Sequence, residues 1–286
     1  MISASLKEIN KYIPNYYKLF SAKDVIFINT TDNELDRVYP NLTRICGNLT
    51  SLKNLGKKIT YINLPKFNSE LTELKGLPIK YIIMEGFNGN IPKLLNEKVP
   101  TNEIHKRMTH MLEPLRGAPI KFFHIKNFEG GLDALSSSPV EYINIFSTYN
   151  LKALSNVPIE KFICERIYSL EGINKTIKEI FIEQFFGDNL EPLRGAPIKI
   201  ICIDRLYDVR DLEPLRGAPI KKIVMSYYYG DSIEPLRGAP ITSLYMQYFK
   251  GDLSPIFEAP IKYMFTASTL HNEFLDLRKS YFLEKN

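Results

Sequence analysis

An eight-residue sequence, Glu-Pro-Leu-Arg-Gly-Ala-Pro-Ile, occurs four times without change in this chain, beginning at Glu113, Glu191, Glu213 and Glu234. Looser copies fill the intervals, so that the first apolar residue of a copy recurs every 19 to 22 residues, at Leu52, Leu71, Ile91, Leu112, Leu132, Leu151, Leu170, Leu190, Leu212, Ile233 and Leu253. A weaker copy begins at Leu35. A unit of about twenty residues cannot bury its own apolar face, so consecutive units must stack. The sequence predicts a solenoid of about twelve coils.

Each unit has two halves with different apolar periods. After the second proline, apolar residues at positions 1, 4 and 6, such as Ile220, Ile223 and Met225, predict a short strand with one buried face. The other half, Asp211 to Pro219, predicts one turn of 3₁₀ or α-helix, in which proline suits the first turn and Gly217 permits the left-handed residue that ends it. All units run in the same direction, so the strands are expected to be parallel.

Acidic residues stand at or near the start of each predicted turn, at Asp188, Asp211, Asp231 and Asp252. A carboxylate in this place can accept hydrogen bonds from the free backbone N–H groups of the turn. The Ala-Pro pair that follows the turn forces the chain back into an extended conformation. Proline, at 18 residues against 15 glycines, therefore marks the boundaries of the coils.

One strand and one short helical return in twenty residues resemble the leucine-rich-repeat family. The segment Ile198-Lys-Ile-Ile201-Cys-Ile203 matches the L-x-x-L-x-L half of that family's pattern. The Pro-Leu-x-Gly-x-Pro style of the other half is similar to short repeats of bacterial and large-DNA-virus proteins. The resemblance implies an α/β solenoid, a right-handed superhelix with one short parallel strand and one 3₁₀ or helical turn per coil. It also implies protein–protein recognition through the strand face.

The sequence departs from the family at the position of its usual Asn, three residues after the last apolar residue of the strand. That position holds apolar, mostly aromatic residues, namely Phe67, Phe87, Phe128, Phe185, Leu206, Tyr228 and Phe249. We expect a stack of these side chains to fill the corner that an Asn ladder would occupy, with about 0.5–1.5 kcal/mol per ring pair beyond area burial.

The ends of the chain differ from the repeats, as the caps of a solenoid do. We expect a helical N-terminal cap over 1–24, the solenoid over 25–268 and a helical C-terminal cap over 269–286. The stretch 94–111 fits the repeat least well and predicts a distorted coil with a protruding loop.

Composition favours a soluble intracellular protein. The cysteines Cys46, Cys164 and Cys202 form no paired motif, and such a sparse set predicts buried reduced thiols. The N-terminus lacks the apolar run of a signal peptide, and no segment approaches the ~18 uninterrupted apolar residues of a membrane span. We expect a cytoplasmic location, either free or within a virion or another assembly.

The sequence predicts no catalytic, metal or cofactor site. His105 and His110 are five residues apart near Glu103, whereas metal-binding pairs on a helix are three or four apart. His124 falls at an outward strand position and is expected at the surface. No Gly-rich phosphate loop, G-x-S-x-G elbow or HExxH motif occurs. The chain is expected not to be an enzyme.

Two periodic rows are candidate contact surfaces. Arg194, Arg216 and Arg237 would form a column able to bind phosphates or an acidic partner, but an equal column of glutamates favours mutual neutralisation, and the net charge is only +5. Nucleic-acid binding is therefore not favoured.

The outward strand positions are the second row and are enriched in aromatic residues, which indicates a contact surface. The predicted partner-binding residues are Phe122, Tyr142, Phe146, Phe181, Tyr227, Tyr245, Tyr248, Tyr263 and Phe265. The alternative explanation is the general preference of strands for Tyr and Phe.

These observations predict a non-catalytic scaffold that binds protein partners through its aromatic strand face. Two other classes stay open: a structural component of a larger particle, such as a virion, and a carbohydrate-binding parallel β-helix. The sequence does not indicate the identity of the partner or the oligomeric state.

Overall fold

A computed structural model describes residues 29–30, 35, 40, 42–88 and 101–266. The chain divides into two compact units, the first over 1–164 with 172–174, the second over 165–171 with 175–286. The predicted caps at 1–24 and 269–286 lie outside the described residues. No helix in the described ranges is long and apolar enough to cross a membrane.

Twelve strands lie in the described part of the chain, about one for each predicted coil. They are β1 (Asn29–Thr30), β2 (Arg44–Gly47), β3 (Tyr61–Asn63), β4 (Tyr81–Ile83), β5 (Phe122–Glu129), β6 (Tyr142–Thr148), β7 (Lys161–Ile167), β8 (Glu179–Phe185), β9 (Ile200–Leu206), β10 (Lys222–Val224), β11 (Ser243–Met246) and β12 (Tyr263–Thr266). In the first unit β1 to β6 pair in chain order, and in the second unit β8 to β12 do so. Every one of these pairs is parallel, as predicted.

The apolar strand positions form the core of each unit. In the second unit Ile180, Ile201, Ile223 and Leu244 lie side by side in register, and each is at most 1% exposed. Burial of one such side chain contributes about 1.5–3 kcal/mol relative to leaving it in water. The period read from the sequence therefore identifies the buried face of the strands.

Single 3₁₀ turns return the chain between strands, as the second half of the repeat predicts. They cover Thr72–Leu74, Glu113–Leu115, Asp133–Leu135, Lys152–Leu154, Glu191–Leu193, Glu213–Leu215, Glu234–Leu236 and Ser254–Ile256. Gly217, which follows one of these turns, has a φ of +75°. This is the left-handed conformation expected at the end of the turn.

In several turns, the residue two positions before the first turn residue accepts a hydrogen bond from the backbone N–H of that first residue. Asp211 does so at 2.8 Å from Glu213 N, and Asp252 does so at 2.8 Å from Ser254 N, as predicted. The prediction is wrong for Asp188 and Asp231, because Asn189 and Ser232 occupy that position and accept the bonds instead. The hydrogen bond depends on the two-residue spacing and not on a carboxylate, since amide and hydroxyl oxygens also act as acceptors.

The aromatic stack expected in place of an Asn ladder is present. The rings of Phe67 and Phe87 are stacked at 6.4 Å in the first unit, and those of Tyr228 and Phe249 at 5.9 Å in the second. The Tyr228 hydroxyl is buried and donates to the carbonyl oxygens of Arg210 and Ser232, 3.0 and 3.1 Å away. These bonds satisfy the one polar atom in the stack.

The stretch predicted as a distorted coil contains a helix instead. Helix α1 covers Thr101–Met111, while 94–100 lies outside the described residues. Tyr81 pairs directly with Phe122, so the sheet continues from β4 to β5 without a strand from this segment. Buried Met108 and the Thr109 hydroxyl, which accepts from Gly131 N at 2.9 Å, attach the helix to its unit.

Candidate protein-contact surface

An aromatic row crosses the outward face of four neighbouring strands in the first unit. Its rings are Tyr61, Tyr81, Phe122 and Tyr142, which follow one another in register. The centroid distances along the row are 5.9, 6.2 and 4.0 Å. The guanidinium of Arg44 lies 4.5 Å from the Tyr61 ring and ends the row with a cation–π contact. Of the four rings, sequence reasoning identified Phe122 and Tyr142 but missed Tyr61 and Tyr81, which occupy the same repeat position.

The strand-face positions of the second unit are more covered than predicted. Phe181, Cys202, Val224, Tyr245 and Phe265 form one register row. Phe181 is only 2% exposed and Tyr245 only 4%. These two therefore do not present the open contact surface predicted for them.

The burial of Tyr245 has an identifiable cause. Its ring lies 5.9 Å from that of Phe265, and its hydroxyl is 3.0 Å from Oε1 of Gln247. Burial, with a smaller contribution from Asp204, raises the pKa of Tyr245 to about 12. Large side chains on adjacent outward positions thus cover one another, which a period-two pattern does not reveal.

The other predicted contact residues differ in exposure. Tyr263 and Tyr248 are exposed, at 59% and 37%. Phe122, Tyr142, Phe146, Tyr227 and Phe265 are half-buried. Tyr227 and Tyr248 stack at 4.8 Å in the second unit.

An exposed aromatic row lies beyond the ends of the strands of the second unit. We call it the exit row: Tyr168, Phe186, Tyr207 and Tyr229. These side chains are 45%, 36%, 43% and 49% exposed. The ring of Phe186 lies 5.0 Å from that of Tyr168 and 5.1 Å from that of Tyr207, and both pairs are stacked.

Sequence reasoning missed the exit row, although a signal was present. Three of its residues directly follow the buried last residue of a strand, at Ile167, Phe185 and Leu206, and Tyr229 follows buried Tyr228 beyond the end of β10. Because successive side chains on an extended backbone point to opposite sides, a residue after a buried one faces outward. The aromatic residues at this second position recur from coil to coil, so the row is visible in the sequence.

Arginine side chains flank the exit row. Arg205, the residue before the last one of β9, has its guanidinium 5.8 Å from the Tyr227 ring. Arg210 donates to the backbone oxygen of Tyr229 at 3.2 Å, and its guanidinium is 5.8 Å from that ring. The row is therefore an apolar strip with a cationic margin.

The arginine column of the repeats is neutralised, as predicted. Arg194, Arg216 and Arg237 each donate from Nε and Nη2 to the glutamate three residues earlier, over 2.6–2.8 Å. Arg116 pairs with Glu113 in the same way in the first unit. These hydrogen bonds lower the pKa of each glutamate, so the pairs stay charged but carry no net charge.

Histidine and cysteine side chains provide no metal centre in the described residues. No group of three His, Cys, Asp or Glu side chains in the described ranges is placed to hold a metal ion. His124 is half-buried and not at the surface as predicted, and burial lowers its pKa. Cys164 is buried, whereas Cys46 and Cys202 are half-buried, and burial raises the pKa of the Cys46 thiol to about 11.

Comparison with known proteins identifies a structure with a similar fold. No protein-family model matches the sequence, and no curated protein matches it either. The structure is similar to the crystal structure of an internalin from Listeria monocytogenes, a leucine-rich-repeat protein, with a TM-score of 0.55. The sequences are 12% identical, and the match covers 84% of this chain and 79% of the internalin. The fold is a leucine-rich-repeat-like solenoid, as predicted.

Proposed function

We propose that this protein is a non-catalytic scaffold that binds a protein partner, and that the exit row is the centre of its contact surface. The observation that carries the proposal is the stacking of three large, exposed rings, Tyr168, Phe186 and Tyr207, on neighbouring coils of one unit. Aromatic side chains dominate the energetics of protein interfaces, and tyrosine offers contact area at low conformational cost.

Preorganisation supports this function. Tyr168, Phe186 and Tyr207 each directly follow the last residue of a strand, and Phe186 N donates to Ile167 O at 2.9 Å. Mutual stacking restricts the side chains further. A partner that covers the row therefore immobilises few new rotamers, which reduces the entropic cost of binding.

The geometry disfavours the carbohydrate alternative. Sugars stack on the open faces of aromatic rings, whereas the faces of Phe186 are covered on both sides by Tyr168 and Tyr207 at 5.0 and 5.1 Å. The three stacked residues are 36–45% exposed, and with its faces covered the Phe186 ring offers its edge to solvent. Ring edges suit backbone carbonyls and apolar side chains of a polypeptide.

Affinity capture with a matched control tests the proposal. The full chain, the double variant Phe186→Ala/Tyr207→Ala and the control Phe257→Ala are immobilised and exposed to lysate of the source cells. Phe257 is an aromatic residue of the same unit that lies away from the row and is 76% exposed. Circular dichroism first confirms that all three proteins are folded.

We expect one or more proteins to be retained by the full chain and by Phe257→Ala and to be lost at least tenfold from the double variant. In a direct titration, the purified partner must then bind the full chain and Phe257→Ala more tightly than the double variant. Equal retention by all three proteins contradicts the proposal. The proposal is also contradicted if Tyr263→Ala loses the partner while the double variant retains it. The contact surface would then lie on the strand face.

A further inference from the structure

A row of lysines marks the start of the strands in the second unit. The position after each Pro-Ile pair, or its equivalent, holds Lys178, Lys199, Lys221, Thr242 and Lys262. Backbone hydrogen bonds of 2.8–2.9 Å connect each of these residues to the next, from Lys199 N to Lys178 O and onward to Lys262 N. Their Cα atoms are therefore about 5 Å apart, and their side chains leave the same side of neighbouring coils.

Three of these lysines are not neutralised. Lys199, Lys221 and Lys262 are exposed, and no carboxylate of the described residues pairs with them. The contrast with the first unit is informative, because Lys121 at the same repeat position pairs with Glu141 of the next coil at 3.0 Å. In the second unit the corresponding neighbours are lysine and threonine, so within the described coils no carboxylate compensates the charge from that position.

The surroundings of the row add no comparable negative charge. The adjacent outward register row is Glu179, Ile200, Lys222, Ser243 and Tyr263, which includes a single carboxylate. On the other side, the glutamates of the turns are engaged by Arg194, Arg216 and Arg237. The lysine row is therefore a cationic strip that lies next to Glu–Arg pairs with no net charge.

We propose that Lys199, Lys221 and Lys262 bind an acidic, extended polypeptide segment of the partner. The inference rests on the proposed function, because it takes the partner to be a protein. It goes further in stating that the bound segment of that protein is acidic. Carboxylates spaced along an extended chain can each approach an ammonium group, because the four-carbon stems of lysine adapt to the spacing. Complementary charge also raises the rate of encounter and makes it salt-dependent.

The arrangement favours a polypeptide over a nucleic acid. Arginine is the preferred ligand of phosphate, but the arginines next to the row have their Nε and Nη2 donors occupied by glutamate. Single-stranded nucleic acid gains affinity from successive ring faces on which bases stack, and the register row beside the lysines contains a single ring, that of Tyr263. Carboxylates need neither feature.

A fluorescence titration with defined probes tests the proposal. The probes are a labelled twelve-residue peptide of Glu and Asp separated by Ser, and a single-stranded RNA of equal net charge. The test variant is Lys199→Ala/Lys221→Ala/Lys262→Ala. The control is Lys53→Ala/Lys57→Ala/Lys75→Ala, which removes the same charge from exposed lysines of the first unit.

We expect the test variant to bind the peptide about tenfold more weakly than the full chain, whereas the control changes affinity by less than about threefold. Thr242→Lys, which completes the row, is expected to tighten binding about two- to threefold. Raising the salt concentration weakens binding of the full chain and has less effect on the test variant.

Equal weakening in both triple variants would overturn the proposal, since net charge alone would then explain binding. Absence of peptide binding, or tighter binding of the RNA at the same salt concentration, would also overturn it. Phe186→Ala/Tyr207→Ala separates this test from that of the proposed function, because it leaves the lysine row intact. That variant should bind the acidic peptide as the full chain does even if the exit row proves not to be a contact surface.

Discussion

The ring of Phe186 lies 5.1 Å from the ring of Tyr207, centroid to centroid, at an interplanar angle of 8°. Tyr168 covers the other face of Phe186 at 5.0 Å. Phe186 nevertheless remains 36% exposed, because its edge faces solvent. The ring is thus both a structural link between neighbouring coils and a part of the open surface.

Replacing Phe186 with alanine should lower the free energy of unfolding by about 1–2 kcal/mol, since two ring contacts are lost on a half-open surface. Urea denaturation measures the loss, and near-ultraviolet circular dichroism should report the changed environment of Tyr168 and Tyr207. Phe257→Ala, at a position 76% exposed, should cost less than about 0.5 kcal/mol. Equal costs at the two positions would show that the stacked pairs contribute nothing measurable.

The repeat unit made most of the fold predictable from sequence. The buried strand positions, the turn with its glycine and the aromatic stack follow from local patterns that recur in coil after coil, and the structure has them. Helix α1 was not predicted because its segment lies outside the repeat and has no neighbouring copy to compare with. A pattern that repeats is strong evidence, whereas a segment that occurs once must be judged on weak local preference.

The contact surface was less predictable because exposure depends on neighbours in space. Phe181 and Tyr245 occupy outward positions but are only 2% and 4% exposed, and the ring of Phe265 on the adjacent strand lies 5.9 Å from that of Tyr245. Conversely, Tyr229 follows the buried Tyr228 and is 49% exposed. Period-two alternation gives the direction of a side chain, and only the sizes of the surrounding residues decide whether water reaches it.

Asp211 and Asp188 should differ in their contribution to stability. Asp211→Ala removes the acceptor of the Glu213 backbone N–H and should cost about 1 kcal/mol. Asp188→Ala leaves the bond from Glu191 N to Asn189 intact and should cost less than about 0.5 kcal/mol. Urea denaturation of the two variants checks the order. A larger loss for Asp188→Ala would contradict the capping geometry.

The titration of Glu213 should depend on Arg216. The hydrogen bond from Arg216 lowers the pKa of the Glu213 carboxyl below its ordinary value. The pair therefore favours the folded state above the unfolded-state pKa of glutamate, and this contribution is lost as the pH falls through the lower folded-state pKa. In Arg216→Ala, the pKa of Glu213 measured by carboxyl carbon NMR should rise towards the ordinary value. Glu191, which keeps Arg194, is the internal control, and an equal rise there would contradict the pairing.

Tyr228 should make stability depend on pH in alkaline solution. Burial, with a smaller contribution from Asp211, raises its pKa to about 12, whereas an unfolded tyrosine has a pKa of about 10. The neutral phenol therefore stabilises the fold fully below pH ~10, and the contribution is lost as the pH rises towards ~12, by about 1.4 kcal/mol at pH ~11.

The variant Tyr228→Phe separates this effect from other titrations. At pH ~8 it should be about 1–2 kcal/mol less stable than the full chain, because the bonds to the Arg210 and Ser232 carbonyl oxygens are lost. The difference between the two proteins in urea denaturation should then shrink between pH ~8 and ~11. A constant difference would show that Tyr228 does not titrate as its burial requires.

Alanine substitutions at Gly217 and Gly230 should differ in their cost to stability, because only Gly230 lacks space for an added Cβ. Gly217 has a φ of +75°, but nothing lies within 4 Å of an added Cβ, so Gly217→Ala should cost only the left-handed strain, about 1 kcal/mol. At Gly230 an added Cβ would overlap the Tyr228 hydroxyl and lie 2.5 Å from the Arg210 carbonyl oxygen. The same hydroxyl donates to that carbonyl, so the clash disrupts a buried hydrogen bond as well as the packing. We expect Gly230→Ala to cost about 3 kcal/mol. Urea denaturation measures both variants, and a smaller loss at Gly230 than at Gly217 would contradict the close approach of the two coils.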